Sequence, residues 1–224
     1  MKHNLLILFR QLRLHQWSKN AILFVPALAD HKILQLNILI NSIISFFAFS
    51  MLASCIYILN DIIDFKYDRE HPQKKYRPIA NGELSKSTGY ILMSICFIIG
   101  IFLSLNLGKY FLIISLSYIL LNLSYSFYFK TIIILDVVLL MSFYTLRLIA
   151  GHIPNNIPLS PWLLSFSIFI FISLGFLKRY IDINTASNNN IQMNRYDYNI
   201  NDKNILMTLG IASGLISTLV LILY

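Results

Sequence analysis

Residues 37–82 read NILINSIISFFAFSMLASCIYIL and then NDIIDFKYDREHPQKKYRPIANG. The first half is a charge-free, mostly apolar run of the length a membrane-crossing helix needs, about 20 residues. The second half turns polar at once. Asp61, Asp64 and Asp68 stand at i, i+3 and i+7, with Asn60 four residues before Asp64. On a helix this spacing sets three carboxylates and an amide along one face. Carboxylates that close repel one another unless a positive charge lies among them. Hard oxygen ligands without Cys or His suit Mg2+, which commonly arrives with substrate phosphates. Lys74, Lys75 and Arg77 follow and are candidates for phosphate oxygens that a metal leaves free. Pro78 and Gly82 end the segment. The plainer alternative is a solvated loop between two membrane helices. Three aspartates in phase, with a basic cluster after them, are more than a loop requires.

Composition agrees with a membrane protein. Of the 224 residues 57% are hydrophobic and 12% charged, with a mean hydropathy of +0.65. Soluble domains carry about 25% charged residues. The apolar runs are continuous rather than alternating, which argues for helices and against a β-barrel. The formal charge of +8 points to cytoplasmic loops and anionic headgroups rather than to nucleic acid. Cys55 and Cys96 both fall in apolar runs and read as small core residues. The run Leu5–Phe9 is too short for a signal peptide, and Arg10 and Arg13 follow it.

The chain reads as a single membrane-embedded, all-α domain, residues 1–224, with seven crossings. Residues 1–20 form a basic amphipathic helix on the inner surface, with Trp17 as an interfacial anchor. Spans follow near 17–29 (short, with Pro26 inside it), 37–59, 89–107, 110–129, 132–150, 161–178 and 205–224. Pro154, Asn155, Asn156 and Pro158 mark a turn, and 182–204, with eight asparagines, reads as a loose loop. With these spans fifteen Lys and Arg fall on the side of the N-terminus, and Lys32 and Lys109 on the other. That split puts the N-terminus and the aspartate segment in the cytoplasm of a multi-pass inner (plasma) membrane protein.

Several further polar groups need a reason. Asp136 lies inside an apolar span, about 9 Å along a helix from Lys130. An intramembrane aspartate marks a functional site or a structural ion pair with a neighbouring helix, and both readings stay open. Arg147, eleven residues on, shares its face. It lines a polar cavity or snorkels outward. Lys178, Arg179 and Asp182 end the sixth span, as ordinary anchors or as a second phosphate-binding set. His71 and His152 have no partner at ligand spacing and receive no chemistry.

These residues resemble a known family. Asn60-Asp61-x-x-Asp64-x-x-x-Asp68 is similar to the first aspartate motif of the UbiA superfamily of intramembrane prenyltransferases. The wider set resembles its decaprenyl-phosphate phosphoribosyltransferase branch. It comprises Gln16-Trp17-Ser18-Lys19-Asn20, Asn60–Gly82 with His71-Pro72 and Arg77-Pro78-Ile79-Ala80, Tyr125-Ser126 with Lys130, Asp136-Val137, Leu146-Arg147 with Ala150-Gly151, Ser160 with Trp162, and Lys178-Arg179. The likeness covers about residues 12–182.

It implies a UbiA-like helical bundle. The implied reaction moves 5-phosphoribose from 5-phosphoribosyl diphosphate to a polyprenyl phosphate, releasing diphosphate, for lipid-linked pentose and cell-envelope synthesis. Mg2+ would lie on Asn60, Asp61, Asp64 and Asp68, with the three aspartates catalytic. Lys19, Lys74, Lys75, Arg77, Tyr125, Lys130, Lys178 and Arg179 would bind substrate phosphates. Asp136, Arg147 and Asp182 would complete a polar cavity. Two departures stand out. The superfamily usually has about nine helices, so its last two are expected to be missing here. Lys178-Arg179-x-x-Asp182 stands where aromatic prenyltransferases carry a second aspartate motif. The competing readings are prenyl transfer from a polyprenyl diphosphate to an aromatic or other small acceptor, and a non-catalytic membrane protein such as a transporter or inactive paralogue. Lipid length and oligomeric state are not legible.

Overall fold

A computed structural model describes residues 2–188, 198 and 200–223, and among these every regular element is helical. The helices are α1 (Lys2–Leu12), α2 (Val25–Ala29), α3 (Leu36–Ile63), α4 (Phe65–Glu70), α5 (Pro78–Asn81), α6 (Lys86–Asn106), α7 (Lys109–Phe127), α8 (Leu135–His152), α9 (Pro161–Asn188) and α10 (Lys203–Leu223). Six of them, α3 and α6 to α10, are long and apolar enough to cross a membrane. This is an integral membrane protein.

The expected span at 17–29 is built differently. It is an eleven-residue 3-10 helix, Leu14–Phe24, running into the short α2. A 3-10 helix rises about 2.0 Å per residue against 1.5 Å for an α-helix, so the two pieces together reach about 30 Å. That equals the hydrocarbon thickness, with fewer residues than an α-helix would need. Runs of this length are uncommon because the hydrogen bonds are poorer. Here tertiary contacts hold the segment to a polar stripe of α3. Trp17 Nε1 donates to Ser54 Oγ at 3.1 Å, Asn20 Nδ2 to Ser50 Oγ at 2.9 Å, and Ser54 Oγ to Leu12 O at 2.8 Å. Trp17, expected as an interfacial anchor, is half-buried, its ring edge-on to Phe46 and Phe47. Small residues on α3 let the backbones approach and satisfy polar groups that lipid cannot.

The chain folds into two compact units. The first is Met1–Leu120 with Ala150–Ile157. In it α1 lays Ile7 against Ile58, Ile62, Ile79, Leu84 and Cys96, with Leu8 and Leu12 beside them. The amphipathic N-terminal helix therefore docks on the aspartate end of α3, while Leu6 and Phe9 stay exposed. Asn156, at φ 49°, makes the expected turn after α8. Close approach is tightest at Gly151, where an added Cβ would lie 2.3 Å from Leu23 O and 3.0 Å from Leu23 C. Both are backbone atoms of the 3-10 segment and cannot swing away. Gly151→Ala is expected to destabilise the fold by about 1–3 kcal/mol through overpacking. Thermal unfolding in detergent would read this, and an unchanged midpoint would show that the segment gives way.

The second unit is Leu121–Ile149 with Pro158–Tyr224. Its core joins Val137, Phe176, Ile183, Tyr198 and Leu206. The sixth predicted span, ended near 178, continues as α9 to Asn188. The loose loop expected at 182–204 therefore begins later. Of that stretch, 189–197 and 199 lie outside the described residues.

Candidate functional site

The aspartate segment begins in the last turn of α3, a helix longer than a bilayer's hydrocarbon core. Its 28 residues make a helix about 42 Å long, against a hydrocarbon core of about 30 Å. α3 ends at Ile63 and α4 starts at Phe65, with Asp64 at the junction (φ −80°, ψ 5°). The turn continues across it, since Asp64 N donates to Asn60 O at 2.8 Å and Asp68 N to Asp64 O at 2.9 Å. The expected stripe is thus carried by two helices with one brief irregularity. Asp61 and Asp68 are buried and Asp64 is half-buried.

Two guanidinium groups and an amide close on these carboxylates. Asp61 Oδ1 accepts from Arg77 Nη1 at 3.0 Å and from Arg13 Nη2 in a shorter contact. Asp61 Oδ2 accepts from Gln11 Nε2 at 3.0 Å. The same Arg77 Nη1 donates to Asp68 Oδ2 at 2.6 Å, so one cation bridges the two buried acids. Pro78 sets this up, because the residue before a proline is pushed to extended backbone, and Arg77 adopts it (φ −67°, ψ 140°). Arg69 Nε donates to Ala80 O at 3.0 Å, and Arg10 donates to Glu83 Oε2 at 3.0 Å and Tyr76 O at 2.8 Å. These bonds fasten the loop after α4 to α1 and α5. His71, given no chemistry, shapes that loop, its Nδ1 accepting from the backbone N–H of Gln73 at 3.2 Å and Lys74 at 3.3 Å.

Among the described residues no three His, Cys, Asp or Glu side chains come close enough to hold a metal ion together. Positive charge among the acids is supplied instead by Arg13 and Arg77. The donor types still suit Mg2+: carboxylate and amide oxygens alone, two of them on buried acids. One further observation fits a missing cationic ligand. Gln11 is fully buried, and its Oε1, beside Asp61, has no hydrogen-bond partner among the described residues. Its amide is oriented by the Nε2 bond to the carboxylate, so a bare acceptor is left where a donor would be needed.

Of the expected phosphate-binding groups in this unit, Arg77 is in the cluster. Lys19 and Lys75 are exposed, Lys19 Nζ lying 3.3 Å from Gln16 Oε1 and Lys75 Nζ 5.2 Å from the Tyr76 ring centroid. Lys74 is half-buried. Gln11 and Arg13 join the cluster without being among the expected site residues, since the sequence marks Arg13 only as one more inner-surface charge. The one signal for Gln11 is a polar residue inside the apolar pattern of α1.

The second unit holds its own polar cluster. Asp136, fully buried, accepts from Arg179 Nε at 2.5 Å and from Tyr198 Oη at 2.7 Å. Arg179, 1% exposed, also donates from Nη1 to Asp182 at 3.0 Å and from Nη2 to Tyr125 Oη at 3.4 Å. Tyr198 Oη in turn accepts from Ile134 N at 2.9 Å. Ile134 holds φ 68° there, a left-handed geometry that costs a β-branched residue about 1–2 kcal/mol. Burial pushes the Tyr198 phenol up from its ordinary value, and its bond to Asp136 adds to this. Of the two readings of Asp136, the structure carries the ion pair with a neighbouring helix. Lys178 is exposed and parts from Arg179. Arg147 does not snorkel. It is buried, donates to Phe143 O at 2.8 Å on its own helix and lies 5.5 Å from the Tyr144 ring centroid. Lys130 lies in a 3-10 turn, Phe129–Thr131, and its side chain is outside the described residues.

Residues 21–224 match the UbiA prenyltransferase family. The chain belongs to that family. It is 34% identical over 215 residues to the protein y4nM of Sinorhizobium fredii, covering 96% of this chain and 42% of that one. It is 32% identical over 206 residues to the nodulation protein NoeC of Azorhizobium caulinodans, covering 90% and 66%. It is 34% identical over 180 residues to the decaprenyl-phosphate phosphoribosyltransferase of Corynebacterium glutamicum, covering 79% and 54%. The chain thus spans 42% to 66% of the length of these curated relatives. Its fold is that of a UbiA homolog from Archaeoglobus fulgidus solved bound to GPP and Mg2+, with a TM-score of 0.73, 13% identity, 96% of this chain covered and 76% of that one.

Proposed function

We propose that this UbiA-family chain is a Mg2+-dependent transferase of the inner membrane. In this reading it moves 5-phosphoribose from 5-phosphoribosyl diphosphate to a polyprenyl phosphate and faces the cytoplasm with its aspartate segment. The observation that carries it is the buried Asp61–Arg77–Asp68 bridge between the end of α3 and α4, with Asp64 between the two acids in sequence. Support for the donor and acceptor comes from the likeness to decaprenyl-phosphate phosphoribosyltransferases.

The chemistry asks little of a general base, since the acceptor phosphate is already an anion. The difficult part is release of diphosphate from the ribose carbon. Asp61, Asp64, Asp68 and Asn60 would hold Mg2+, whose charge would neutralise that leaving group. Arg77, bound to both buried acids, keeps them in register. Lys74 and Lys75 lie within the segment and, with Lys19 of the 3-10 helix, are candidates for the remaining phosphate charges. The apolar faces of the long helices would take up the lipid tail, at about 0.8 kcal/mol for each buried methylene.

The test is direct. Purified protein in lipid would receive Mg2+, 5-phosphoribosyl diphosphate labelled in the ribose, and a long polyprenyl phosphate. Label is expected to enter the lipid phase and to stop doing so when Mg2+ is chelated. No transfer by folded protein, together with transfer of a polyprenyl group from its diphosphate to a small acceptor, would replace this reading by the prenylation one.

A further inference from the structure

We propose that Arg13 is an exchangeable counter-ion of Asp61. Its guanidinium holds the carboxylate until a metal–diphosphate pair arrives, then passes to the diphosphate oxygens as the carboxylate turns to the divalent cation. The inference rests on the reading of Asp61 as a metal–diphosphate group.

Asp61 offers about four lone-pair positions. Arg13, Arg77 and Gln11 fill three of them. A divalent cation on this carboxylate would stand beside two guanidinium groups, and like charges in a buried place repel strongly. One arginine has to leave. Arg77 contacts both Asp61 and Asp68 and is set in extended backbone by Pro78, whereas Arg13 contacts Asp61 alone of the two. The Arg13 side chain is 17% exposed, and its guanidinium lies 5.0 Å from the Tyr57 ring centroid, a surface over which a planar cation can shift.

Two features of α1 and its end support the assignment. Arg13 sits at φ 54°, ψ 48°, left-handed backbone that glycine or asparagine would adopt with less strain. The side chain, rather than the backbone, is then the reason for an arginine there. Gln11 is pinned to Asp61 by its Nε2, and its buried Oε1 lacks a donor. A water bound to the arriving cation would supply one. Arg13 is thus a positioning residue before the metal–diphosphate pair binds and a binding residue afterwards.

The experiment uses the full chain in lipid nanodiscs with no lipid acceptor. Mn2+ stands in for Mg2+ and is followed by electron paramagnetic resonance. Inorganic diphosphate in the presence of Mn2+ is followed by calorimetry. In Arg13→Gln, Mn2+ alone is expected to bind about tenfold tighter and diphosphate about tenfold weaker, the size typical of coupling between two ligands. Arg13→Gly, which relieves the left-handed backbone, should give the same opposed shifts. A merely structural arginine would lower both affinities together or change neither, and either result overturns the proposal while leaving the proposed function in place. Wild-type protein that binds neither Mn2+ nor diphosphate overturns both.

Discussion

Arg179→Met is expected to cost about 3–5 kcal/mol of stability, because it strands the fully buried Asp136 without its cation. Desolvating a carboxylate costs several kcal/mol, and the surviving hydrogen bond from Tyr198 offsets only part of that. The double variant Asp136→Asn, Arg179→Met should recover most of the loss. An asparagine there still accepts from Tyr198, and Asp182, whose side chain is 35% exposed, is solvated without Arg179. Thermal unfolding of the three variants in one detergent gives the comparison. A double variant as weak as the single would mean that the pair is more than a mutual neutralisation. The same protein separates the two roles considered for Arg179. Three contacts, to Asp136, Asp182 and Tyr125, already engage its Nε and both terminal nitrogens. If the role is structural, the refolded double variant keeps the transfer activity proposed above. If Arg179 binds a substrate phosphate, it folds and loses it.

What the sequence makes legible is what lies close along the chain. Asp61 and Asp68 are seven residues apart, two helical turns, and one guanidinium reaches both. Arg77, nine residues beyond Asp68, is tied to it by a proline that fixes the backbone, so the charge cluster can be read locally. Arg13 and Gln11 are separated from Asp61 by 48 and 50 residues, and nothing in the chain's local pattern brings α1 to the end of α3. The docking follows from Ile7, Leu8 and Leu12 finding Ile58 and Ile62. The same leucines and isoleucine would serve equally well against lipid, so the sequence cannot choose. The segment Leu14–Phe24 is hard to read for a related reason. A long 3-10 helix is locally disfavoured, and it exists because Ser50 and Ser54 of α3 and Gly151 of α8 admit its backbone. Asp136 is anomalous from its apolar setting alone. Arg179 is among the residues the sequence singles out, but pairing the two needs a contact across 43 residues. Tyr198 gives no signal, since nothing in its Asn-rich surroundings sets it apart.

Asp61→Asn and Asp64→Asn are each expected to lower transfer about 1,000-fold, roughly 4 kcal/mol of lost transition-state stabilisation. Folding should survive both. An asparagine at 61 keeps an acceptor oxygen for Arg13 or Arg77, and the loop after α4 stays fastened through Arg69 to Ala80 and Arg10 to Tyr76. What the change removes is negative charge, and with it the ability to hold a divalent cation among guanidinium groups. Arg77→Lys tests the other half of the bridge. A lysine keeps the charge, yet its shorter, more flexible stem has to bring one ammonium to the place of Arg77 Nη1, which lies 3.0 Å from Asp61 Oδ1 and 2.6 Å from Asp68 Oδ2. Partial loss, smaller than in either aspartate variant, is therefore the expected order, read from initial rates at saturating Mg2+. Transfer untouched in Asp61→Asn and Asp64→Asn, with ion or proton flux altered instead, would assign the acids to a conduction path and remove the chain from the catalytic members of its family. Transfer lost in both leaves no room for that reading, because a conduction path has no reason to govern movement of a ribose label.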